Sequence, residues 1–327
     1  MEIAISPTTI GLGPAALVDL CVAAEELGYR QAWLAEVAGP ESFSLAGAIA
    51  NATEEMDVGV AVVPAATRSP ALMAMGAATV SGLLAGRTFS LGVGASSQMI
   101  VESWHDRDFA PPVTRVRESV LATRALLQGE RDFEGETVSV RRFALATSPG
   151  EVRLLVGALG PRMLRLAGAV ADGVCLNLMT PDAVPRQLAE IERGAAEAGR
   201  SLPEDFAVMA RFHVVPGDDL DDARGLVRSA FGPYFVQPVY NRFLDWMGFG
   251  EEAVALAGAF AEGDRAGVAA ALHDSLVDGI SLVGPVDRIG ESLEDFAAAG
   301  VDVAALSILA PHEEDVLQVL RGLGGSR

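Results

Sequence analysis

The chain has no lysine; all 24 of its basic residues are arginine. Without a lysine amine it cannot form the Schiff base of an aldolase or hold pyridoxal phosphate, so both classes are excluded. Histidine is scarce. His105, His213, His273 and His312 stand alone, whereas metal-dependent barrel hydrolases gather several, often as an HxH pair, and no metal site is expected. Of the two cysteines, Cys21 falls in a helical pattern and Cys175 in a strand pattern, which reads as two small core residues and not as a disulfide or metal pair. No apolar run approaches the ~18 residues of a membrane span, and MEIAISPTTIGLGP lacks the basic stretch of a secretory signal. A cytoplasmic protein without a membrane partner is expected. Positive charge is in deficit: 44 acidic residues leave a net charge of −20, a poor footing for nucleic acid or anionic membrane. No linker, charge block or low-complexity tract divides the 327 residues, so a single domain over 1–327 is expected. What remains is chemistry supplied by a bound organic cofactor or by carboxylates.

Four stretches join a helical apolar pattern to a short, nearly continuous apolar run: AEELGYRQAWLAE (24–36), SGLLAGRTFSLGVG (81–94), LAGAVADGVCLN (166–177) and FAAAGVDVAALSIL (296–309). A surface helix feeding a strand buried on both faces produces this pattern. Repeated αβ units imply a parallel sheet with right-handed connections, and sustained over this length they close into a (β/α)8 TIM barrel. Strands are expected at 2–6, 31–36, 56–64, 88–94, 152–158, 172–178, 206–215 and 301–309. Helices are expected from Pro14 to Leu27, from Ser69-Pro70 to Leu84, and over TRVRESVLATRALLQG. Insertions fall after the fourth strand (95–113), before the fifth (130–150, with short strands) and between the seventh and eighth (230–285).

Barrel chemistry sits on loops at the strand C-termini, and three features occupy that end. Glu36 closes the second strand, either as a structural or solvated acid or, among apolar neighbours that would raise its pKa, as a group for proton transfer. The fourth strand leaves through LGVGASS, whose glycines allow a flat ligand or another backbone to approach. The fifth leaves through GALGPR, where Gly160 and Pro161 open a helix whose free N–H groups, with Arg162 beside them, form an anion site or a plain N-terminal turn. The last insertion contains FGPYFVQPVYNRFLDWMGF (231–249), with seven of the 19 aromatics. Such a segment is a satellite core, a dimer contact or the wall of an apolar pocket. In the last case Tyr234, Tyr240, Phe243 and Trp246 line it, with His105 from the loop after the fourth strand.

Taken together, ELGYRQAWLAE, GVAVVPAATRSPALMAMGAATVSGLLAGRTFSLGVGASS, TRVRESVLATRALLQGE, GALGPRMLRLAGAVADGVCLN and AAGVDVAALSILAP resemble the bacterial luciferase-like superfamily, in particular its branch that uses the deazaflavin coenzyme F-420. The likeness spans the chain except 130–150 and 231–278. It implies a non-proline cis peptide at Ala61-Val62, in a bulge that buttresses the cofactor ring. It places Gly94, Ala95, Ser96 and Ser97 along the ring or ribityl chain. Ala158, Leu159, Gly160, Pro161 and Arg162 would hold the phosphate, Asn177 would bond the phosphate or tail, and Glu36 would handle the proton that accompanies hydride transfer. The resemblance further implies a homodimer and a reductase or dehydrogenase acting on a small apolar organic substrate.

The chain departs from that pattern at two places. Many relatives follow the strand 2 acid with His, on which the flavin monooxygenases lean for oxygen chemistry; here the residues are Glu36-Val37-Ala38. His105, His213 and His312 are the substitutes available near strand ends. Polar residues after the third strand are replaced by Val63-Pro64-Ala65. The alternatives are a two-component FMN monooxygenase fed by a separate flavin reductase, and a non-catalytic flavin-binding barrel.

Overall fold

Apolar runs flanked by helices bury both faces only when the sheet they form is covered outside and filled or closed inside. The computed structural model describes residues 1–7, 12–310 and 312–324, so Pro311 of the last quoted motif lies outside the described residues. The chain runs β1 (Glu2–Ile5), α1 (Pro14–Glu26), β2 (Gln31–Leu34), α2 (Ser42–Ala52), β3 (Asp57–Pro64), α3 (Pro70–Leu84), β4 (Phe89–Gly94) and α4 (Pro112–Leu127). A hairpin of β5 (Phe133–Glu134) and β6 (Ser139–Val140) leads to β7 (Val152–Gly157), α5 (Pro161–Val170), β8 (Gly173–Asn177), α6 (Val184–Glu197) and β9 (Ala207–Pro216). Five helices follow: α7 (Leu220–Phe235), α8 (Pro238–Met247), α9 (Gly250–Ala261), α10 (Arg265–Ala271) and α11 (Asp274–Ile280). The chain then returns through β10 (Leu282–Gly284), α12 (Val286–Ala299), β11 (Val303–Ile308) and α13 (Glu313–Leu323).

The sheet order β9-β11-β1-β2-β3-β4-β7-β8, closed by the β8–β9 pairing, is an eight-stranded barrel, and all its pairings are parallel. The expected eight strands all form, each within two residues of its expected bounds. Strand β10 adds to the end of β9, pairing Leu282 with Val214 and Gly284 with Pro216. None of the described helices is long and apolar enough to cross a membrane.

Local chemistry fixes the helix ends. Ser69 accepts from the Leu72 N–H at 3.2 Å and Pro70 starts α3, as the Ser-Pro pair predicts. Arg87, from the GR of the same run, donates to the carbonyls of Ala50 (2.7 Å) and Met56 (3.0 Å) and so ties the end of α2 to the start of β3. Arg224 binds Asp278 (2.7 Å) and Asp274 (3.2 Å), and Arg288 joins Asp278 (2.8 Å), which pins α7 to α11 and α12.

Inside the barrel, side chains alternate with period two. Ala4, Trp33, Leu155, Cys175, Met209 and Ala305 form a buried layer in the lumen. Below them Trp33 Nε1 donates to Gln31 Oε1 (2.9 Å), and Gln31 Nε2 to Glu2 Oε2 (2.7 Å), which fills the N-terminal end.

The hairpin before β7 hangs on a single acid. Glu118 of α4 is only 5% exposed; it accepts from the backbone N–H groups of Glu136 (2.8 Å), Thr137 (2.7 Å) and Val138 (3.1 Å) and from the Thr137 hydroxyl (2.6 Å). Burial opposes its charge, but these donors outweigh burial and hold its carboxyl below the ordinary range. A depressed folded-state pKa contributes stability that is complete above the ordinary glutamate value of about 4.3 and is lost as pH falls through the lower folded value. Glu118→Ala is expected to cost about 3 kcal/mol in denaturant unfolding at pH 7. The deficit relative to wild type should shrink in acid; a pH-independent deficit would show that packing, not the carboxylate, sets it.

Candidate active site

The mouth is built from the ends of β2, β3, β4, β7, β8, β9 and β11. Because β2 stops at Leu34, Glu36 sits in the following loop, where α2 and the TRSP loop converge on it. Glu36 Oε1 accepts from Arg68 Nε (2.9 Å); Oε2 accepts from Arg68 Nη2 (2.6 Å), the Ser42 hydroxyl (2.5 Å) and the Ser42 N–H (3.2 Å). The Glu36 and Arg68 side chains are 16% and 13% exposed. Arg68 also binds Glu41, the N-cap of α2, and lies 4.9 Å from the centre of the Phe43 ring. Burial works against the Arg68 charge, but Glu36 and Glu41 hold its pKa above the ordinary arginine value. The apolar surroundings expected for Glu36 are therefore corrected: a charged, fully engaged network takes their place, because a residue 32 positions later is folded against it.

Strand β3 slips register against β4 between Val60 and Val63, and the Ala61–Val62 peptide bond is cis. The Val62 side chain fills a recess whose walls are glycine. A Cβ on Gly94 would stand 2.4 Å from Val62 Cγ2, and one on Gly157 2.9 Å from Val62 Cγ1. On Gly92 it would stand 2.5 Å from the Val60 carbonyl oxygen. The LGVG glycines thus admit the bulge itself. Beyond them, the Gly94 carbonyl accepts from Ala65 N–H (2.9 Å), Ser96 takes a left-handed φ of 62°, and the Ser97 hydroxyl accepts from Ile100 N–H (3.3 Å). Ala95 is half-buried.

Across β7, the Ala158 N–H donates to the Cys175 carbonyl (3.0 Å), and Leu159 leads to Gly160, the N-cap of α5. No side chain caps this helix, Pro161 occupies its first turn, and a Cβ on Gly160 would meet open space. Arg162 is exposed and has no hydrogen-bond or ion-pair partner among the described residues. Free N–H groups and an unpaired guanidinium thus share one rim of the mouth, which fits an anionic group.

On the strand next to β7, Asn177 ends β8 and pairs in register with Arg211 of β9. The Asn177 Oδ1 is buried without a partner among the described residues. Arg211 Nη2 donates to Ser307 Oγ (3.1 Å), while its Nε is buried without a partner among the described residues. His213 lies two residues on, its ring 4.4 Å from that of Phe231. Burial, and then the charge of Arg211, push its imidazole well below the usual histidine range, so it is neutral at pH 7.

The other candidates are dispersed. His105 is exposed at the end of a short π-helical turn (Ile100–Trp104), and His312 is exposed before α13. In the aromatic segment, Tyr234 meets Phe231 (5.9 Å) and stands edge-on to Tyr240 (5.6 Å), continuing the row that starts at His213. Phe243 is 2% exposed and stacks on Trp246 (6.1 Å, 15°), which Arg186 of α6 covers at 4.7 Å. This pair packs α8 onto α6, whereas Tyr234, 43% exposed, retains surface for a ligand. Sequence reasoning passed over Arg68, Arg211 and Ser307; Arg68 had a signal, being inside the quoted TRSP run.

The family profile described as luciferase-like monooxygenase matches residues 2–303. The chain is 29% identical over 309 residues to a 5,10-methylenetetrahydromethanopterin reductase of Archaeoglobus fulgidus, covering 91% of each chain. Among solved structures, the coenzyme F-420 dependent tetrahydromethanopterin reductase of Methanopyrus kandleri superposes with a TM-score of 0.80 at 23% identity, covering 98% of both chains. An F-420-dependent secondary alcohol dehydrogenase in complex with an F-420-acetone adduct gives 0.79 at 18% identity, covering 98% of this chain and 97% of that one. At those identities the superpositions speak for the fold.

Proposed function

The chain belongs to the luciferase-like monooxygenase family, and from that premise we propose that it is an oxidoreductase that moves a hydride between coenzyme F-420 and a small, largely apolar organic substrate. The observation that carries this reading is the pairing, in one mouth, of a flat platform with an anion rim. Val62, seated among Gly92, Gly94 and Gly157, offers a low surface for a tricyclic ring. The open N-terminus of α5 with Arg162 suits a phosphate, and Ala158 to Pro161 shape its approach. Gly94 to Ser97 flank the ring or ribityl chain, and Asn177 reaches the tail. When bound, the deazaflavin supplies the hydride at its C5.

The chain's own residues then orient and shield. The lumen layer of Ala4, Trp33, Leu155, Cys175, Met209 and Ala305 closes the mouth from below, and Tyr234 and Tyr240 border the substrate on the outer side. Glu36 takes or returns the proton at a carboxylate oxygen, with Arg68 and Ser42 fixing its position. A homodimer is part of the same reading; Leu72, Met75 and Leu83 form an exposed apolar stripe on α3.

Val37, 47% exposed where flavin monooxygenases of the family lean on His, favours this reading over a two-component FMN monooxygenase. The test is anaerobic consumption of reduced F-420 with a panel of enones, imines and ketones. Turnover that needs no oxygen is expected. Product formed only with oxygen and reduced FMN would move the protein to the monooxygenase reading, and tight F-420 binding without hydride exchange would make it a binding protein.

A further inference from the structure

Arg211 is a cation at the mouth to which the proposed hydride transfer gives no role. Cys175, Met209 and Ala305 face the lumen, and period-two alternation puts Asn177, Arg211 and Ser307 on the same face one layer higher, at the C-terminal opening. In the barrel order β9 lies diametrically across from β3, so this layer faces the Val62 bulge over the width of the mouth. Arg211 makes no ion pair among the described residues. Its side-chain hydrogen bond goes to the neutral Ser307 hydroxyl; Asn177, in register with it on β8, has an Oδ1 that is itself unpartnered among the described residues. The imidazole above it, His213, is buried and also unpartnered at Nε2 among the described residues. A guanidinium stays charged at any accessible pH, and an unpaired buried charge is costly unless a ligand completes it.

We infer that Arg211, held by Ser307, anchors the carboxylate of a small organic acid whose apolar body lies against Phe231 and Tyr234. The planar fork of arginine matches a carboxylate in two parallel hydrogen bonds. One guanidinium beside a neutral hydroxyl suits a single negative charge, and the aromatic row running out from His213 supplies the apolar wall. The carboxylate is the handle that orients the substrate, not the reacting group. This deepens the proposed function by naming its substrate class; it rests on the mouth being a substrate site and not on which cofactor occupies it.

The test titrates the purified protein, with and without F-420, against cinnamate and its neutral isostere cinnamamide, following calorimetric binding and thermal unfolding. Cinnamate is expected to bind wild type at least about tenfold more tightly than the amide and to raise its Tm. In Arg211→Met that preference should vanish, F-420 affinity should stay within about twofold, and the unliganded Tm should equal or exceed that of wild type, because an unpaired buried charge is gone. Arg211→Gln, which keeps polarity without charge, should lose the preference in the same way. Equal binding of acid and amide, binding of neither, or cinnamate binding undiminished in Arg211→Met would overturn the assignment. So would a selective loss of F-420 affinity in Arg211→Met, which would give the guanidinium to the cofactor. A cinnamate preference that depends on Arg211 in a protein that fails to bind F-420 would leave the anchor standing and remove the cofactor reading alone.

Discussion

Gly94→Ala is expected to weaken F-420 binding about a hundredfold or more, equivalent to about 2.7 kcal/mol, while the barrel stays folded. The added methyl would stand 2.4 Å from Val62 Cγ2, too close for any carbon pair, and Val62 cannot retreat downward. The backbones of Gly92 and Gly157 wall it there: a Cβ on either would stand 2.9 Å from Val62 Cγ1. The bulge must therefore lift into the space proposed for the ring. Overpacking of this kind costs about 1–3 kcal/mol of stability, which a barrel of this size survives, so folding and binding separate. Gly82→Ala is the control: it adds a methyl with no neighbour within 4 Å on an exposed helix face and should change neither quantity adversely. Gly94→Ala with unaltered F-420 affinity would show that the ring does not rest on Val62.

Turnover, not binding, should suffer in Glu36→Gln. Positioned acid–base groups contribute on the order of 10²–10⁴-fold, and a loss of about 100-fold in kcat with F-420 affinity retained is the expected result. The amide keeps the shape and one acceptor oxygen; its NH2 replaces an oxygen that accepts from Arg68 or Ser42, but Arg68 retains Glu41 as an anionic partner and stays in place while the ionisable oxygen is removed. Ser42→Ala, which deletes only the 2.5 Å hydroxyl bond to the carboxylate, should have a smaller effect in the same direction. If Glu36→Gln turns over normally but melts earlier, Glu36 is an anchor for Arg68 and the proton comes from elsewhere in the mouth.

The barrel was legible because burial on both faces leaves continuous apolar runs such as VRLLVG and VAALSI, and Gly or Asp marks where each helix yields to the next strand. Helix α2 left no such mark: its SFSLAGAIANA follows a loop, and its N-cap is Glu41, a glutamate and not one of the usual Ser, Thr, Asp or Asn caps. The site was legible as positions and not as environments. Glu36 could be placed at a strand end, but its partner Arg68 comes from the next βα loop, and only the closure of β2 against β3 brings them together. The LGVG glycines allow a flat ligand or another backbone to approach, and it is the β3 bulge with Val62 that approaches, a contact between residues about 30 apart in sequence. Arg211 lies in an expected strand, and whether it faces lumen or solvent depends on register, which composition does not carry. In the aromatic segment, composition announced a cluster, but the division between the packed Phe243–Trp246 pair and the exposed Tyr234 follows from where α6 and β9 lie.

The central claim is that this mouth is built for a deazaflavin. It is tested most directly by titrating the purified wild-type protein with F-420 and, separately, with FMN, following the fluorescence of each ligand. The account predicts saturable F-420 binding at about micromolar affinity or tighter, with FMN clearly weaker. FMN bound as tightly as F-420 or more so, or no binding of either, would contradict it.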